Sequence, residues 1–181
     1  MKTLTLLRHA KSGWDEPAAR DFDRAINDRG KRAARTMGDY ARSKGYRFDA
    51  IIASPAVRVI DTLDIFQTAM GNENLEPKWD RRIYLASSAS LFDVLRDAPE
   101  GATDLLMVGH NPGLEDLILE LVPDSKDEPL RAIPEEKYPT AALARMELSV
   151  DRWADIAPGA AHLVDMVRPR DLDPGLGPEE E

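Results

Sequence analysis

The sequence predicts one domain of the α/β class, a three-layer α/β/α sandwich whose open sheet is mostly parallel. Three observations point there. Short apolar runs alternate with amphipathic helical stretches along most of the chain, the pattern of strand–helix–strand units covered on both faces. The 181 residues suffice for one domain of ordinary size but not for two. Hydrophobic residues at 43% and charged residues at 31% give a globular balance rather than a disordered one.

The elements follow in order. Residues 3–8 (TLTLLR) read as a first strand, apolar with a β-branched start. A polar loop follows through Asp15, Glu16, Pro17 and Asp23. Asn27 is placed to cap a helix over 28–44, with Ala33, Met37, Tyr40 and Ala41 on one face and Gly45 as its stop. Residues 49–53 (DAIIA) read as a buried second strand. Ser54-Pro55 is a helix opening, a hydroxyl N-cap with proline in the first turn. That helix should run to 70 with Val57, Ile60, Leu63, Phe66 and Gln67 facing in.

A short strand is expected over 76–79, and a helix over 90–97 with Leu91, Val94 and Leu95 inward. Residues 104–109 (DLLMVG) form the clearest strand, and Asn111-Pro112 opens a helix reaching 121. The polar stretch 123–139, with four prolines, reads as a long surface loop. Residues 141–150 and 161–167 alternate as strands do, the first as an antiparallel partner. Strand order is not legible.

Composition narrows the function classes. A net charge of −9 comes from 24 Lys and Arg against 33 Asp and Glu. Five of those acids and no base fall in 171–181, which reads as a mobile acidic tail behind a domain of 1–170. The domain keeps −4, which argues against nucleic acid or an anionic membrane as partner. A small phosphate is still admissible, because it answers to local arginines rather than net charge. With no cysteine, disulfides, thiolate chemistry and cysteine zinc sites are excluded. No leader-like or membrane-spanning run is visible, so a cytoplasmic protein is the expectation.

The unusual residues collect at strand ends. Arg8 and His9 end the first strand, Ser54 ends the second with Arg58 one turn into the next helix, and His110 ends the clearest strand. In an open parallel sheet ligands bind in the crevice beyond the carboxyl ends of the strands. Arg58, on a helix whose side chains lean toward its N-terminus, would lean over that crevice. The helix after His110 would aim free N–H groups and a partial positive charge there. Two guanidiniums beside a helix start suit a dianionic phosphoryl group, since arginine stays charged and grips two oxygens at once. Neighbouring cations should also keep the histidines neutral, as a nucleophilic imidazole requires.

Leu7-Arg8-His9-Ala10 resembles the Arg-His-Gly signature of the histidine phosphatase superfamily, the phosphoglycerate-mutase-like enzymes. Ser54-Pro55-Ala56-Val57-Arg58 with Thr62 resembles that family's second arginine segment, and Val108-Gly109-His110-Asn111-Pro112 its second histidine segment. The resemblance covers about 3–170 and narrows to the SixA-type phosphohistidine phosphatases. That branch is marked by the run RHAKSGW ending at Trp14, by Asp28-Arg29-Gly30, by Ile83-Tyr84-Leu85-Ala86 and by Arg168-Pro169-Arg170. It implies a phosphoglycerate-mutase-like fold, His9 as the nucleophile that becomes phosphorylated, and Arg8 and Arg58 on the phosphoryl oxygens. It implies further that His110 stabilises charge in transfer, and that neither a metal nor a cofactor is used.

Two departures stand out. Ala10 replaces the glycine, so this position does not need positive φ. Many relatives place a glutamate acid in the region matching 80–86, where only Asp80 is a candidate, by proximity. General acid catalysis is typically worth about 100- to 10,000-fold, so its absence favours a phosphoramidate over an alkoxide leaving group.

Expected substrate contacts are Arg8, Arg58, His110, Asn111 and Ser12. Asn111 could cap its helix, touch phosphate, or both. Lys11, Ser12 and Trp14 line the pocket or serve as turn and packing residues. His162 reads as structural or surface, Arg29, Arg32, Arg35, Arg81 and Arg82 as solvated surface, and Thr62 as packing below Arg58. The expected activity is removal of phosphate from phosphohistidine on a signalling or phosphocarrier protein. Hydrolysis of small phosphate esters is the alternative within the same chemistry, and a non-catalytic phosphoprotein-binding module the alternative outside it. What the 123–139 loop does for substrate choice is open.

Overall fold

The computed structural model describes residues 1–13 and 20–178. Trp14, the loop residues Asp15, Glu16 and Pro17, and the final three glutamates lie outside the described residues. Six strands form one sheet: β1 (Lys2–Arg8), β2 (Ala50–Ala53), β3 (Lys78–Trp79), β4 (Asp104–Gly109), β5 (Leu143–Leu148) and β6 (Ala161–Val167), in spatial order β3-β2-β4-β1-β5-β6. β3, β2, β4 and β1 run parallel, and β5 runs antiparallel to both β1 and β6. The sheet is therefore mostly parallel, with one reversed strand.

Helices cover both faces. Alternation along β4 sends Leu106 and Val108 toward α1 (Asp28–Ser43) and α2 (Val57–Met70), where they join Met37, Leu63 and Phe66. Leu105 and Met107 point the other way, to α3 (Ser88–Arg96) and α4 (Gly113–Leu121), and pack with Leu91, Leu114 and Ile118. β1 and β4 are buried on both sides, hence their continuous apolar runs. Caps set the helix ends: Asn27 accepts from the Gly30 N–H and Ser87 from the Ser90 N–H, while Gly71 ends α2 in the left-handed region.

Four expectations are corrected. Ser54 does not cap α2; the helix begins at Val57, and the Ser54 hydroxyl is bonded to His110 instead. Val57 and Ile60 are not on the inner face of α2. Its buried stripe is Arg58, Val59, Thr62, Leu63, Phe66, Gln67 and Met70, which keeps Leu63, Phe66 and Gln67 as expected and turns Ile60 outward. Residues 123–139 are not simply a surface loop. They hold a 3-10 turn (Pro129–Arg131) and α5 (Ala132–Glu136), then Tyr138, fully buried with its hydroxyl 2.8 Å from the Leu6 carbonyl. The prolines there punctuate short helical turns.

Arg29 and Arg32 are not merely solvated: they clasp the chain after β6. Arg29 donates to the Gly175 and Gly177 carbonyls and Arg32 pairs with Asp173. α6 (Pro169–Leu172) and a 3-10 turn (Pro174–Leu176) follow, and Leu176 inserts into the α1-side core. Residues 171–178 thus pack back on α1. Among the described residues no helix is long and apolar enough to cross a membrane.

α1 and α2 approach so closely at Gly38 that a Cβ there would lie 2.6 Å from the Phe66 carbonyl oxygen and 2.7 Å from the Ala69 Cβ. Alanine would gain about 1 kcal/mol in helix propensity, but overpacking of this kind costs about 1–3 kcal/mol. Gly38→Ala is therefore expected to lower the urea midpoint; a rise would show that the two helices separate freely.

Candidate active site

The register of the parallel strands brings the site together. Arg8 pairs with Gly109 and Ala53 with Val108, so β1 and β4 end level with one another and β2 ends one residue short of them. The next residues of these strands are His9, His110 and Ser54. The His9 N–H still bonds the Gly109 carbonyl and the Ser54 N–H the Val108 carbonyl, both at 3.1 Å. The two imidazole centroids stand 5.4 Å apart.

Each ring is fixed in one tautomer. His9 Nδ1 lies 2.8 Å from the Ala10 carbonyl, an acceptor only, so Nδ1 carries the proton and Nε2 keeps its lone pair. His110 Nδ1 lies 3.3 Å from Arg58 Nη2, a donor only, so its proton sits on Nε2 and is donated to Ser54 Oγ at 2.8 Å. Burial pushes His9 down to about 4, with the Ala10 bond opposing and Arg8, Arg58 and Arg24 adding to the fall. Burial likewise pushes His110 down to about 3, helped by His9 and Arg58. The expected neutrality is there, but desolvation is its larger cause and the cations come second.

The arginines bracket the rings. Arg58 is 2% exposed although it lies in the first turn of α2. Arg8 donates from Nη1 to the Tyr138 carbonyl at 3.1 Å. The Nε atoms of Arg8 and Arg58 are buried without a hydrogen-bond partner, donors in want of an acceptor. Thr62 ties the two walls, accepting from the Ala10 N–H at 2.8 Å and donating to the Arg58 carbonyl at 2.7 Å. Its packing role below Arg58 is as read from the sequence.

Asp21 was not found by sequence reasoning. It sits in a 3-10 turn (Asp21–Asp23) and its carboxylate accepts from Tyr84 Oη (2.6 Å), Arg58 Nη2 (3.1 Å) and Arg24 Nη2 (3.0 Å). Its carbonyl takes Arg58 Nη1 at 2.7 Å. The Tyr84 hydroxyl, then the arginines, hold the Asp21 carboxyl at about 2 against a modest opposing effect of burial. Tyr84 also stands edge-on to His110, with centroids 5.4 Å apart. Nothing in an acidic polar loop distinguishes Asp21 from its neighbours Asp15 and Asp23, so only the fold reveals it. Asp80 goes elsewhere. It caps the turn before Ile83 and is gripped by Arg82, whose hydrogen bonds hold its carboxyl below the ordinary range.

The remaining candidates have protein partners. Ser12 Oγ accepts from Arg24 Nη1 at 2.6 Å. Asn111 donates to the Tyr138 carbonyl at 2.7 Å, the same oxygen that receives Arg8, and accepts from the Glu115 N–H at 3.3 Å. The first-turn N–H groups of Leu114, Glu115 and Asp116 in α4 are bonded to His110, Asn111 and Pro112, so the crevice receives that helix's dipole rather than those donors. His162 lies away from the cluster, bonded to Glu128 at 2.7 Å.

A family model described as the histidine phosphatase superfamily, branch 1, matches residues 4–83, the stretch holding Arg8, His9, Ser54 and Arg58. An uncharacterised protein of Mycobacterium tuberculosis is 32% identical over 165 residues, 91% of this chain and 100% of that protein. A protein of Agrobacterium tumefaciens, assigned as phosphohistidine phosphatase SixA, superposes with a TM-score of 0.78 at 27% identity. That match covers 93% of this chain and 98% of the other. One from Nakamurella multipartitia with the same assignment gives 0.77 at 27% identity over 93% and 96%.

The neutral rings carry a stability consequence. In the unfolded chain imidazole protonates near pH 6.5, roughly its reference value, whereas folded His9 resists to about 4. As pH falls through that window the unfolded state binds the extra proton, so stability is lost on acidification, approaching about 1.4 kcal/mol per pH unit for each ring. His9→Gln should flatten the dependence of the urea unfolding free energy on pH between 6.5 and 5. An unchanged slope would mean that the folded protein protonates His9 normally.

Proposed function

The chain belongs to the histidine phosphatase superfamily, in its SixA-type branch, and from that premise we propose that it is a metal-independent phosphohistidine phosphatase. One observation carries the reading: the hydrogen bond from His9 Nδ1 to the Ala10 carbonyl leaves a neutral ring with its Nε2 lone pair beside two arginines and a second histidine. Nε2 attacks phosphorus in line, the bond from phosphorus to the substrate nitrogen breaks, and the departing imidazole leaves with its own proton. Water then attacks the phosphorus in line, the bond from phosphorus to Nε2 breaks, and inorganic phosphate leaves carrying the water's protons as the neutral ring is restored.

Arg8 and Arg58 grip the equatorial oxygens, where preorganised charge contributes most to phosphoryl transfer. Phosphoryl oxygens supply the acceptors their buried Nε atoms lack. A bound dianion also favours the imidazolium form of His110, turning it into a second donor to the transferring group. To bind, the dianion must compete with Asp21 for Arg58.

The substrate class follows from the carboxylates. Asp21, at about 2, is ionised at neutral pH, and Asp80 is held by Arg82, so neither supplies a proton to an alkoxide. A phosphorylated imidazole needs none, since its other nitrogen is protonated near its reference value of about 6.5. The partner is therefore a phosphohistidine-bearing protein, and the surroundings expected are cytoplasmic.

The test is phosphate release, with EDTA present, from a phosphohistidine-bearing protein and from a simple aryl phosphate. Fast release from the protein and slow release from the ester are expected, both abolished in His9→Ala. Efficient ester hydrolysis would shift the substrate to small phosphomonoesters; no turnover of either, with no covalent phosphoenzyme, would leave a binding module. Arg58→Lys should lower kcat/KM by about 100-fold, because an ammonium cannot replace the guanidinium fork. The acid limb of kcat/KM should fall near pH 4, where His9 protonates, and a limb near 6.5 would overturn the neutral-nucleophile reading.

A further inference from the structure

A second cationic site adjoins the first. A cavity of about 200 Å³ is lined by Lys11, Arg29, Lys137, Arg168, Arg170 and Thr140 among others, and among the described residues by no acidic one. In a chain of net charge −9 such a concentration of cations is unusual. Arg168 is partly neutralised by Asp171 at 2.8 Å. Arg29 donates to the carbonyls of Gly175 and Gly177. Lys137 is exposed at the rim.

Arg170 is the telling residue. Among the described residues three buried side-chain polar atoms lack a hydrogen-bond partner, and all are arginine Nε: Arg8, Arg58 and Arg170. The first two flank His9. The third belongs to a residue that lines this cavity, and a buried donor without a partner calls for an acceptor. The same signature that marks the phosphoryl arginines thus marks an anion site here.

The two sites share walls. Lys11 is two residues beyond His9, a reach of at most about 7 Å along the chain. Lys137 precedes Tyr138, whose carbonyl holds Arg8 and Asn111. Thr140 precedes Ala141, whose N–H bonds the His9 carbonyl at 3.0 Å. The same short segments therefore contribute to both. At this volume the cavity is smaller than the roughly 300–1,000 Å³ of sites that enclose a drug-sized ligand, which suits a single anionic group.

We infer that this cavity is a specificity subsite for a second anionic group, carboxylate or phosphate, carried on the same substrate as the phosphoryl group taken by His9. The inference rests on the phosphatase reading above. On a protein substrate the group is an acidic side chain near the phosphohistidine; on a small ester it is a carboxylate or second phosphate.

The test compares wild type with Arg170→Ala and with Lys137→Ala, the latter an exposed change that leaves folding intact. Substrates are a phosphohistidine peptide with acidic flanks, the same peptide with neutral flanks, phosphoglycolate and an aryl phosphate. Either variant should raise KM for the acidic peptide about tenfold, the loss of one charged hydrogen bond, with kcat and both uncharged-tail substrates unchanged. If only phosphoglycolate shows that split, the anion comes from a small ester and the subsite stands. Equal effects on all four substrates, or none on any, overturn it.

If wild type turns over nothing, the phosphatase reading fails separately. Calorimetry with inorganic phosphate then decides the cavity: two sites in wild type and one in Arg170→Ala support it, and identical titrations overturn it.

Discussion

The register between β1 and β4 is the constraint on which the rest depends. Arg8 opposite Gly109 places His9 and His110 one step beyond the sheet on neighbouring strands. A slip of one residue would turn every side chain of a strand to the other face, sending His9 toward one helical layer and swapping Leu6 and Leu7 between the two cores. Both strands are buried on both faces, so the register is held by two cores at once. The placement of the two histidines and the packing of both cores are enforced by the same alignment.

Burial then sets the chemistry. Cations crowded around an imidazole would be expected to dominate its charge state, yet desolvation outweighs them at both histidines. Because burial is the larger cause, the neutral state of His9 does not depend on the arginines' charge. Asp21 completes the balance. It supplies the negative charge that Arg58 and Arg24 face, and Tyr84 holds it in place.

An acidic chain that handles anions must concentrate its cations, and it does so at one end of the sheet. Arg8 and Arg58 serve the strand-end crevice. Beyond β1, toward the reversed strand β5 and the returning C-terminal segment, Arg29 and Arg32 act structurally while Arg170 and Lys137 face a separate cavity. The segment after β6 thus belongs to the site's architecture, since its packing on α1 closes that cavity.

Much of this was legible in the residues. Residues 104–109 and 161–167 stand as strands with the bounds their apolar runs suggested, and Asn27 caps its helix as Ser/Asn chemistry predicts. Local patterns suffice there because propensity, periodicity and capping act over a few neighbours. The strand-end positions of Arg8, His9, Arg58 and His110 were likewise readable, since they need only element boundaries and a parallel sheet. Tertiary structure alone decided strand order, the recruitment of Ser54 from helix cap to His110 partner, the arrival of Asp21 and Tyr84 at Arg58, and the union of Lys11, Lys137 and Arg170 around one cavity. Each of these joins residues tens of positions apart through side-chain contacts, and a polar side chain chooses its partner by what burial brings within about 3 Å, which no local pattern encodes.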